Sequence, residues 1–282
     1  MILIDGNNLC WKSYFAAPLL QSQGRSTGVL HAGLMMLSSL ARIVEPQRIV
    51  FLWDSAGGSW RSSIFPEYKR NRKVDPELRG LVYSQIAVFR KILSVIGISQ
   101  LAILGLEADD LAGCFVSRND APSEGFVLVS GDKDWLQLIG PNVVVLQSWK
   151  GKSAAWMNER WFQETYRIQP NQWPLVLALS GDAVDNIPGV RRGLGPKTAL
   201  KIIRENNIAQ ALSAEEFAVY ERNVMLTTIL RKSPKAWVCN HAPRTQEGWG
   251  WFSACLRDYE LHEIRTRREK IWEMGGWGRA SS

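Results

Sequence analysis

The chain has 282 residues, of which 46% are hydrophobic and 22% are charged. This balance excludes an intrinsically disordered chain, and the length suffices for one large α/β domain or for a core with a smaller helical appendage. Lysine and arginine outnumber aspartate and glutamate by 34 to 27, giving a formal net charge of +7, which favours a polyanionic partner without requiring one.

The sequence shows neither a recognisable targeting signal nor a metal-binding spacing of its cysteines. The first residues read directly as a strand, and no charged segment precedes a long apolar run. We therefore expect neither a secretory signal nor a membrane-spanning segment. The four cysteines have no C-x-x-C spacing, which argues against a zinc site or a disulfide framework and favours the reducing cytoplasm. They are Cys10, Cys114, Cys239 and Cys255.

Short apolar runs alternate with segments of helical periodicity along the chain. The runs of strand length are Ile2–Asp5, Ile49–Asp54, Leu101–Leu104, Phe126–Ser130 and Val143–Gln147. Helices are predicted over Val29–Val44 and Glu77–Ile96, and from about Pro170 the pattern changes to helices and glycine-rich turns. The alternation predicts an α/β fold with a mostly parallel central sheet flanked by helices. Ligands bind beyond the carboxyl ends of such strands, so functional side chains should follow the apolar runs.

Acidic residues occupy those positions. They are Asp5, Asp54, Glu107, Asp109, Asp110, Asp132, Asp134, Asp182 and Asp185. Any one of them alone reads best as a helix cap or a solvated strand end, but carboxylates gathered at one sheet edge repel one another unless a cation neutralises them. Oxygen ligands with no neighbouring histidine or cysteine suit Mg²⁺ or Mn²⁺ rather than Zn²⁺. Two such ions would clamp a phosphodiester during in-line hydrolysis.

A basic segment, residues 60–73, lies between the second and third acidic positions. Its cations are Arg61, Lys69, Arg70, Arg72 and Lys73, against one acid, Glu67. A charge run of this kind is usually a solvated surface, but beside a metal cluster it can attract a phosphate and stabilise charge in the transition state. Tyr68 within the segment offers a ring on which an unpaired base could stack.

A glycine-rich turn, residues 186–199, joins two helical stretches. Gly189, Gly193 and Gly195 allow close backbone approach, and Pro196 suits the first turn of the following helix. Free amide groups there, with Lys197 and Thr198, would hold a phosphate without reading bases. The alternative is a plain helix–helix turn. The spacing excludes a Walker A loop.

Together these segments resemble the 5′-nuclease superfamily, which includes the 5′→3′ exonuclease domain of bacterial DNA polymerase I, bacteriophage 5′-exonucleases and eukaryotic flap endonucleases. The resemblance covers roughly residues 1–232. The segments that carry it, in matching order and spacing, are Ile4–Asn8, Phe65–Arg72, Glu107–Leu111, Ser130–Asp134 and Gly181–Val190.

The resemblance implies a PIN-like nuclease core over residues 1–165. Within it, the basic arch, residues 55–100, includes the basic segment and passes over a single-stranded 5′ end. The resemblance also implies a helical duplex-binding part with a helix–hairpin-type motif over 166–232; the tryptophan-rich basic tail, 233–282, has no counterpart in the resemblance. We expect the tail to pack on the core, the alternative being DNA contact through Arg265, Arg267 and Arg268.

Residue roles follow from the same resemblance. Five carboxylates would hold or orient a first metal ion, namely Asp5, Asp54, Glu107, Asp109 and Asp110. Four would serve a second, namely Asp132, Asp134, Asp182 and Asp185. Lys69 and Arg72 would approach the scissile phosphate, acting in catalysis with Asp109 and Asp132, and Arg61 matches a further arginine of the family pattern.

The glycine-rich turn departs from the family pattern. Relatives often hold K⁺ there through backbone carbonyls. Here an extra residue separates the glycines, and Arg191 and Arg192 could supply positive charge in its place.

The resemblance implies a monomeric, Mg²⁺-dependent 5′-nuclease acting on DNA with a 5′ end, flap or junction. By analogy, the length and the lack of a polymerase domain favour a bacteriophage protein. Two alternatives stay open: a nuclease that removes the RNA strand of an RNA–DNA hybrid, and a non-catalytic binder of branched DNA.

Overall fold

The structure, a computed structural model, describes residues 1–44, 48–118, 125–150, 153–232 and 243–276. A six-stranded sheet forms its centre, with a small two-stranded hairpin beside it. The strands are β1 Ile2–Asp5, β2 Gln21–Ser22, β3 Arg25–Ser26, β4 Ile49–Leu52, β5 Ser99–Leu101, β6 Phe126–Val129, β7 Val143–Lys150 and β8 Ser153–Met157.

The strand order of the main sheet is β5-β4-β1-β6-β7-β8. Its first five strands pair in parallel, and β8 alone pairs antiparallel, with β7. β1 and β6 therefore lie side by side at the centre, with β4 on the other side of β1. Their carboxyl ends meet at one edge, as the sequence predicts for the acidic positions.

Helices cover both faces of the sheet. In the first half of the chain they are α1 Gly6–Ala16, α2 Gly28–Leu40, α3 Arg61–Ile64, α4 Pro76–Val95 and α5 Ala108–Val116. In the second half they are α6 Glu159–Tyr166, α7 Trp173–Ser180, α8 Pro196–Arg204, α9 Ile208–Ala211, α10 Ala214–Thr227, α11 Gln246–Asp258, α12 His262–Arg265 and α13 Arg268–Met274.

Helix starts follow from local capping chemistry. Asp75 accepts hydrogen bonds from the amides of Glu77 and Leu78, and Pro76 occupies the first helical position of α4. Ser213 caps α10 in a reciprocal capping box with Glu216. These caps set where the two helices begin relative to the sheet edge.

Alternate strand residues face opposite sides of the sheet and form two hydrophobic clusters. Leu3 belongs to the cluster shared with α5, α7, α8 and α10, whereas its neighbours Ile2 and Ile4 belong to the cluster shared with α1, α2 and α4. Residues from both sides of position 165 share the first cluster, so the helical part and the sheet have one hydrophobic core in common. The division into 1–165, 166–232 and 233–282 stays a prediction about function.

The described part of the C-terminal tail packs on the second cluster. Phe252, Leu256, Ile264 and Ile271 are fully buried there. This packing agrees with the expectation that the tail covers the core, because the apolar faces of α11 to α13 lose water against α2 and α4. Arg265 is exposed, and Cys239 lies outside the described residues.

Two strand predictions differ from the structure. The run Leu101–Leu104 was expected to be a strand, but β5 is Ser99–Leu101; the chain leaves the sheet after Leu101 and turns at Gly105, where φ is +89°. The edge strand β8 was not predicted, because its residues are mostly exposed and lack a period-two apolar pattern. Other ends differ by a few residues, as is usual for helix and strand termini.

Within the described ranges, no helix is long and apolar enough to cross a membrane. Cys10, Cys114 and Cys255 are buried free thiols. These three thiols are therefore core residues.

Candidate metal centre and nucleic-acid interface

The carboxyl ends of β1 and β6 are tied together by side chains of the predicted site. Asp5 caps α1 by accepting a hydrogen bond from the Asn8 amide at 2.9 Å, and the Ser130 hydroxyl donates to Asp5 Oδ2 at 3.0 Å. Asn8 Oδ1 in turn accepts from the Gly131 amide at 3.0 Å. Burial, and then the nearby Asp54 carboxylate, raise the pKa of Asp5 to about 7.

Asp54 links the end of β4 to the start of α5. Its Oδ1 accepts a hydrogen bond from the Ala108 amide at 3.0 Å. Three carboxylates at the same helix start, those of Glu107, Asp109 and Asp110, each offer an oxygen within 4.8 Å of the others. The positive end of the helix dipole favours negative charge at this place.

Glu107 accepts hydrogen bonds from four different side chains. Its oxygens accept from Ser59 at 2.9 Å, from Arg61 at 2.8 Å and from Tyr68 at 2.9 Å, and also from Lys69. Burial opposes the charged form, but the ammonium of Lys69 and the guanidinium of Arg61 outweigh it and lower the pKa of Glu107 to about 2.

Asp185 faces the same basic segment from the opposite side. Its carboxylate accepts from the Tyr68 hydroxyl at 3.0 Å and from Arg72, and Lys69 Nζ lies 3.6 Å from its Oδ2. Arg72 and Lys69 are partly exposed, with side chains 42% and 24% accessible. Both cations therefore border the carboxylates and solvent at once.

The basic segment and the loop carrying Asp185 are joined through their backbones. The Lys69 amide donates to the Asp185 carbonyl at 2.9 Å, and Asn186 Nδ2 donates to the Glu67 carbonyl at 2.7 Å. Lys69 and Asn186 both have φ of +58°, a region that costs a residue with a side chain free energy, less so asparagine. These contacts hold the turn that directs Lys69 towards Glu107.

The remaining carboxylates form a second group. Lys133 Nζ lies 3.0 Å from Asp182 Oδ2, and Asp132 Oδ1 accepts from the Asp134 amide at 3.0 Å. Burial and the neighbouring carboxylates, Asp132 first, raise the pKa of Asp134. Asp134 Oδ1 is buried and has no hydrogen-bond donor within the described part of the chain.

The side chains present fit divalent cations. All candidate ligands are carboxylate oxygens, the donors that Mg²⁺ and Mn²⁺ prefer, and Asp134 Oδ1 is a buried acceptor that lacks a partner among the residues the structure describes. Burial first, and then neighbouring carboxylates, raise the pKa of Asp5 and of Asp134, so a bound cation would favour their charged forms. The edge can therefore hold a divalent metal.

Two side chains of the basic segment do not lie where the sequence placed them. Arg61, expected to contact DNA, is 1% exposed and is bound by protein groups. Tyr68, expected to stack on a base, is 5% exposed, and Lys69 Nζ lies 4.9 Å from the centroid of its ring. The stacking expectation is wrong in this structure because the ring has no free face.

The exposed cations lie where a substrate could reach them. Arg70 and Lys73 are exposed beside Arg72, and Arg70 pairs with Glu67 at 2.6 Å. In the glycine-rich turn, Gly189 packs against Leu179 and Ser180, and Gly193 has φ of +84°. The exposed polar side chains of the turn are Arg191, Arg192, Lys197 and Thr198, and Gly195 precedes α8 at its N-terminus.

Arg191 has a structural role besides its charge. Its Nη1 donates to the Ala211 carbonyl and to Glu216 Oε2, both at 3.0 Å. This guanidinium is therefore held against α10 rather than free in the turn.

Several residues that shape the site were not assigned roles from the sequence. Ser59 and Trp60 donate to Glu107 and Asp110, and Lys133 pairs with Asp182. Asn8 and Ser130 lie inside segments that carry the resemblance, so their position was a usable signal. Ser59 precedes the basic segment and Trp60 is its first residue, and neither carries a comparable signal.

Comparison of the sequence with known families gives a match over residues 1–167 to the family described as 5′-3′ exonuclease, N-terminal resolvase-like domain. The chain is 34% identical to a 5′-3′ exonuclease of Buchnera aphidicola subsp. Schizaphis graminum over 245 residues, covering 82% of this chain and 83% of the relative. It is 34% identical to a 5′-3′ exonuclease of Aquifex aeolicus over 206 residues, covering 73% and 69%. A DNA polymerase I of Mycobacterium tuberculosis matches 97% of this chain at 33% identity, and 31% of the polymerase is covered.

Solved structures show the same fold at low identity. Flap endonuclease-1 from Methanococcus jannaschii superposes with a TM-score of 0.68 at 15% identity, covering 98% of this chain and 92% of that one. The flap endonuclease of bacteriophage T5, solved with DNA and metal ions, superposes with a TM-score of 0.65 at 20% identity, covering 98% of both chains. The sequence match, the shared fold and the carboxylates at one sheet edge lead to one conclusion: the chain belongs to the 5′-3′ exonuclease family, within the 5′-nuclease superfamily.

Proposed function

We propose that this protein is a Mg²⁺-dependent, structure-specific 5′-nuclease that hydrolyses DNA from a 5′ end or at a 5′ flap. The observation that carries the proposal is the placement of Lys69 and Arg72 against two carboxylates, Glu107 and Asp185, which come from the two acidic groups. Cations at a carboxylate cluster suit a phosphodiester held between metal ions and fixed positive charge.

The residues that would hold the ions form two sets. One is Asp5, Asp54, Glu107 and Asp109, with Asp110 beside them; the other is Asp132, Asp134, Asp182 and Asp185. When bound, a pair of Mg²⁺ ions would supply a nucleophilic water at neutral pH and polarise the phosphate. Mn²⁺ has the same preference for oxygen ligands and would substitute.

Lys69 and Arg72 would stabilise the charge that develops on the phosphate. Both side chains are partly exposed and bonded to carboxylates here, so they can exchange those partners for phosphate oxygens. Their donors would then lie where the transition state gains negative charge. The products would carry a 5′-phosphate and a 3′-hydroxyl.

The glycine-rich turn and the start of α8 would hold the duplex. The contacts are those of backbone amides and exposed side chains, so they fix position without reading sequence. The groups concerned are Gly189, Arg191, Arg192, Gly193, Gly195, Lys197 and Thr198, with Arg70, Lys73 and Arg72 on the basic segment. K⁺ at this turn is part of the proposal, tested by comparing duplex affinity in KCl with that in NaCl of equal concentration.

The test is cleavage of a 5′-labelled flap and of a 5′-recessed duplex, with Mg²⁺, Mn²⁺ or EDTA. Metal-dependent release of short 5′ products is the expected result, and product lengths separate exonuclease from flap cutting. Binding without cleavage in both metals would instead support a structural binder of branched DNA.

Two further measurements test the preferred substrate strand and the oligomeric state. We propose DNA as the preferred 5′ strand, since the grip described above is to the backbone; faster cleavage of an RNA 5′ strand on the same template would replace this with primer removal from hybrids. The protein is proposed to act as a monomer in the cytoplasm of a bacterial or phage-infected cell. Sedimentation with and without DNA tests the monomer.

A further inference from the structure

The guanidinium of Arg61 has every one of its donors bound inside the protein. Nε donates to the Leu226 carbonyl at 2.8 Å, and Nη1 donates to Glu107 Oε2 and Asp110 Oδ2, both at 2.8 Å. Nη2 donates to Asp110 Oδ1 at 2.9 Å and to the Thr228 carbonyl at 3.3 Å. An arginine has five N–H donors. None is left for a phosphate, and the side chain is 1% exposed.

The carboxylate of Asp110 is occupied in the same way. Its Oδ1 accepts from Arg61 and from the Leu230 amide at 3.1 Å, and its Oδ2 accepts from Arg61 and from Trp60 Nε1 at 2.8 Å. A carboxylate has about four lone-pair sites, and Asp110 is fully buried. Although its oxygens lie near those of Glu107 and Asp109, they are turned to protein donors.

Arg61 and Asp110 contact segment 226–230, which comprises the last two residues of α10 and the three residues after it. Gln137 holds the same segment by donating to the Thr227 carbonyl and accepting from the Ile229 amide, both at 2.9 Å. Gly113 of α5 packs so closely on it that a Cβ there would lie 2.2 Å from the Leu230 carbonyl oxygen.

At its other side α10 contacts the loop that carries Asp182 and Asp185. Asn223, fully buried on α10, donates from Nδ2 to the Ala178 carbonyl at 2.9 Å and to the Pro188 carbonyl at 2.7 Å. One continuous set of buried polar contacts therefore runs from that loop through α10 and segment 226–230 to Glu107.

We propose that Arg61 and Asp110 are positioning residues, which fix Glu107 relative to α10 and contact neither DNA nor a metal ion. The inference deepens the proposed function, since the site concerned is the nuclease site. It departs from the expectations that Arg61 contacts DNA and that Asp110 is a ligand. It also predicts that the helical part of the chain sets the geometry of the first carboxylate group.

The first test uses no metal and no substrate. Asp110→Asn and its neighbour Asp109→Asn are compared with the parent chain by thermal unfolding in EDTA. Removing Asp110 leaves Arg61 buried without its main partner, so Tm should fall by roughly 6 °C or more. Asp109 Oδ2 lies 3.7 Å from Arg61 Nη2, beyond hydrogen-bond distance. Asp109→Asn removes this weaker ion pair but relieves carboxylate repulsion, so it should leave Tm unchanged or higher. An Asp110→Asn chain as stable as Asp109→Asn would overturn the proposal.

The second test separates Arg61 from DNA contact. Binding of a flap substrate in EDTA is measured over a range of salt concentrations for Arg61→Gln and for Arg70→Gln, which removes an exposed arginine of the same segment. Losing a phosphate contact lowers the slope of log K against log salt by about 1. We expect that change for Arg70→Gln and an unchanged slope for Arg61→Gln; a change of about 1 for Arg61→Gln would overturn the inference.

Milder variants cover the case in which a buried-charge variant fails to fold. Trp60→Phe removes one neutral donor to Asp110 and keeps both charges. We expect it to fold, to lower kcat by about 3- to 10-fold as expected for one hydrogen bond, and to leave KM for DNA unchanged. Arg61→Lys keeps the positive charge but loses the forked set of guanidinium donors, so its kcat should stay below that of the parent chain. A raised KM at unchanged kcat in Trp60→Phe would count against positioning, as would full activity in Arg61→Lys. Absence of cleavage by the parent chain would defeat the proposed function while leaving the EDTA comparisons valid.

Discussion

The hydroxyl oxygen of Tyr68 lies 2.9 Å from Glu107 Oε2 and 3.0 Å from Asp185 Oδ2. One phenol therefore bridges the two acidic groups. A hydroxyl has one proton to donate, so the two carboxylates share it together with the ammonium of Lys69. The distance between the two acidic groups therefore depends on this hydrogen-bonded bridge as well as on the geometry of the sheet.

Tyr68→Phe should lower the rate of cleavage by roughly 10- to 150-fold while the chain stays folded, because one charge-assisted hydrogen bond is worth about 1.5–3 kcal/mol. The measurement is kcat on a flap substrate at saturating Mg²⁺. Tyr83→Phe, at an exposed position on α4, is the matched control and should retain full activity. Equal rates for the two variants would show that the bridge is dispensable.

Asp132→Asn should reduce cleavage by about 100-fold or more, because an ion bound through this carboxylate contributes several kcal/mol to transition-state stabilisation. DNA binding in EDTA should stay within a few-fold of the parent chain. The control is Asp258→Asn, which changes an exposed carboxylate of the tail. Intact cleavage by Asp132→Asn at saturating Mg²⁺ would remove Asp132 from the reaction.

Metal-free stability should depend on pH through Asp5. Its folded pKa is raised from 3.8 to about 7, so the protonated form stabilises the folded state. This contribution is complete below about pH 4 and is lost as the pH rises through 7, on the order of 4 kcal/mol in total. The pKa of Glu107 is lowered to about 2; its contribution has the opposite sign and changes only at more acidic pH.

Thermal unfolding in EDTA at pH 5, 6, 7 and 8 measures this effect. Tm of the parent chain should fall across the series and recover when Mg²⁺ is added at pH 8. Asp5→Asn should reduce the dependence, because one of the carboxyl groups with a raised pKa is removed, whereas Asp75→Asn, at the cap of α4, should not. A parent chain whose Tm is constant over the range would contradict the raised pKa.

Lys197→Ala should weaken duplex binding and lower the salt slope of log K by about 1, as expected for one lost phosphate contact. Lys197 is exposed in the first turn of α8. Lys91→Ala is the control, because Lys91 lies on α4 over the ring of Trp251 in the tail. If both lysines change the slope alike, the duplex is not held specifically by the turn before α8.

Phe252→Ala should destabilise the chain by about 3–5 kcal/mol, since it removes a large, fully buried ring and leaves a cavity. Denaturant unfolding measures the change, and Phe217→Ala at a partly exposed position should cost far less. Cleavage at low temperature should persist in Phe252→Ala, because this ring packs on the sheet face opposite α7 and α10. Loss of DNA binding with unchanged stability would instead favour a substrate-contacting tail.

Much of this protein was determined by the sequence itself. Asp5 and Asp54 end apolar runs, and Asp132 follows another, so their convergence at one sheet edge follows from the parallel alternation of strands and helices. The strand predicted over Leu101–Leu104 lies about two residues too late in the chain, because the observed strand is Ser99–Leu101. The residues before Gly105 are apolar, although the chain has already left the sheet there. The local sequence pattern records hydrophobicity and spacing, and these two quantities suffice to predict strands that are buried on both faces.

Only the tertiary structure decided what the side chains of the basic segment contact. Arg61 and Arg70 are alike in sequence, yet Arg61 donates to the carbonyl of Leu226, 165 positions away, and Arg70 is exposed. Asp109 and Asp110 are adjacent, yet Asp110 is turned into the protein by Arg61 and Leu230. Which face of a short segment is buried depends on partners distant in the chain, and their position is set by the packing of α10 against α7 and α3. Charge and spacing are local properties, whereas the supply of buried donors and acceptors is a property of the whole fold.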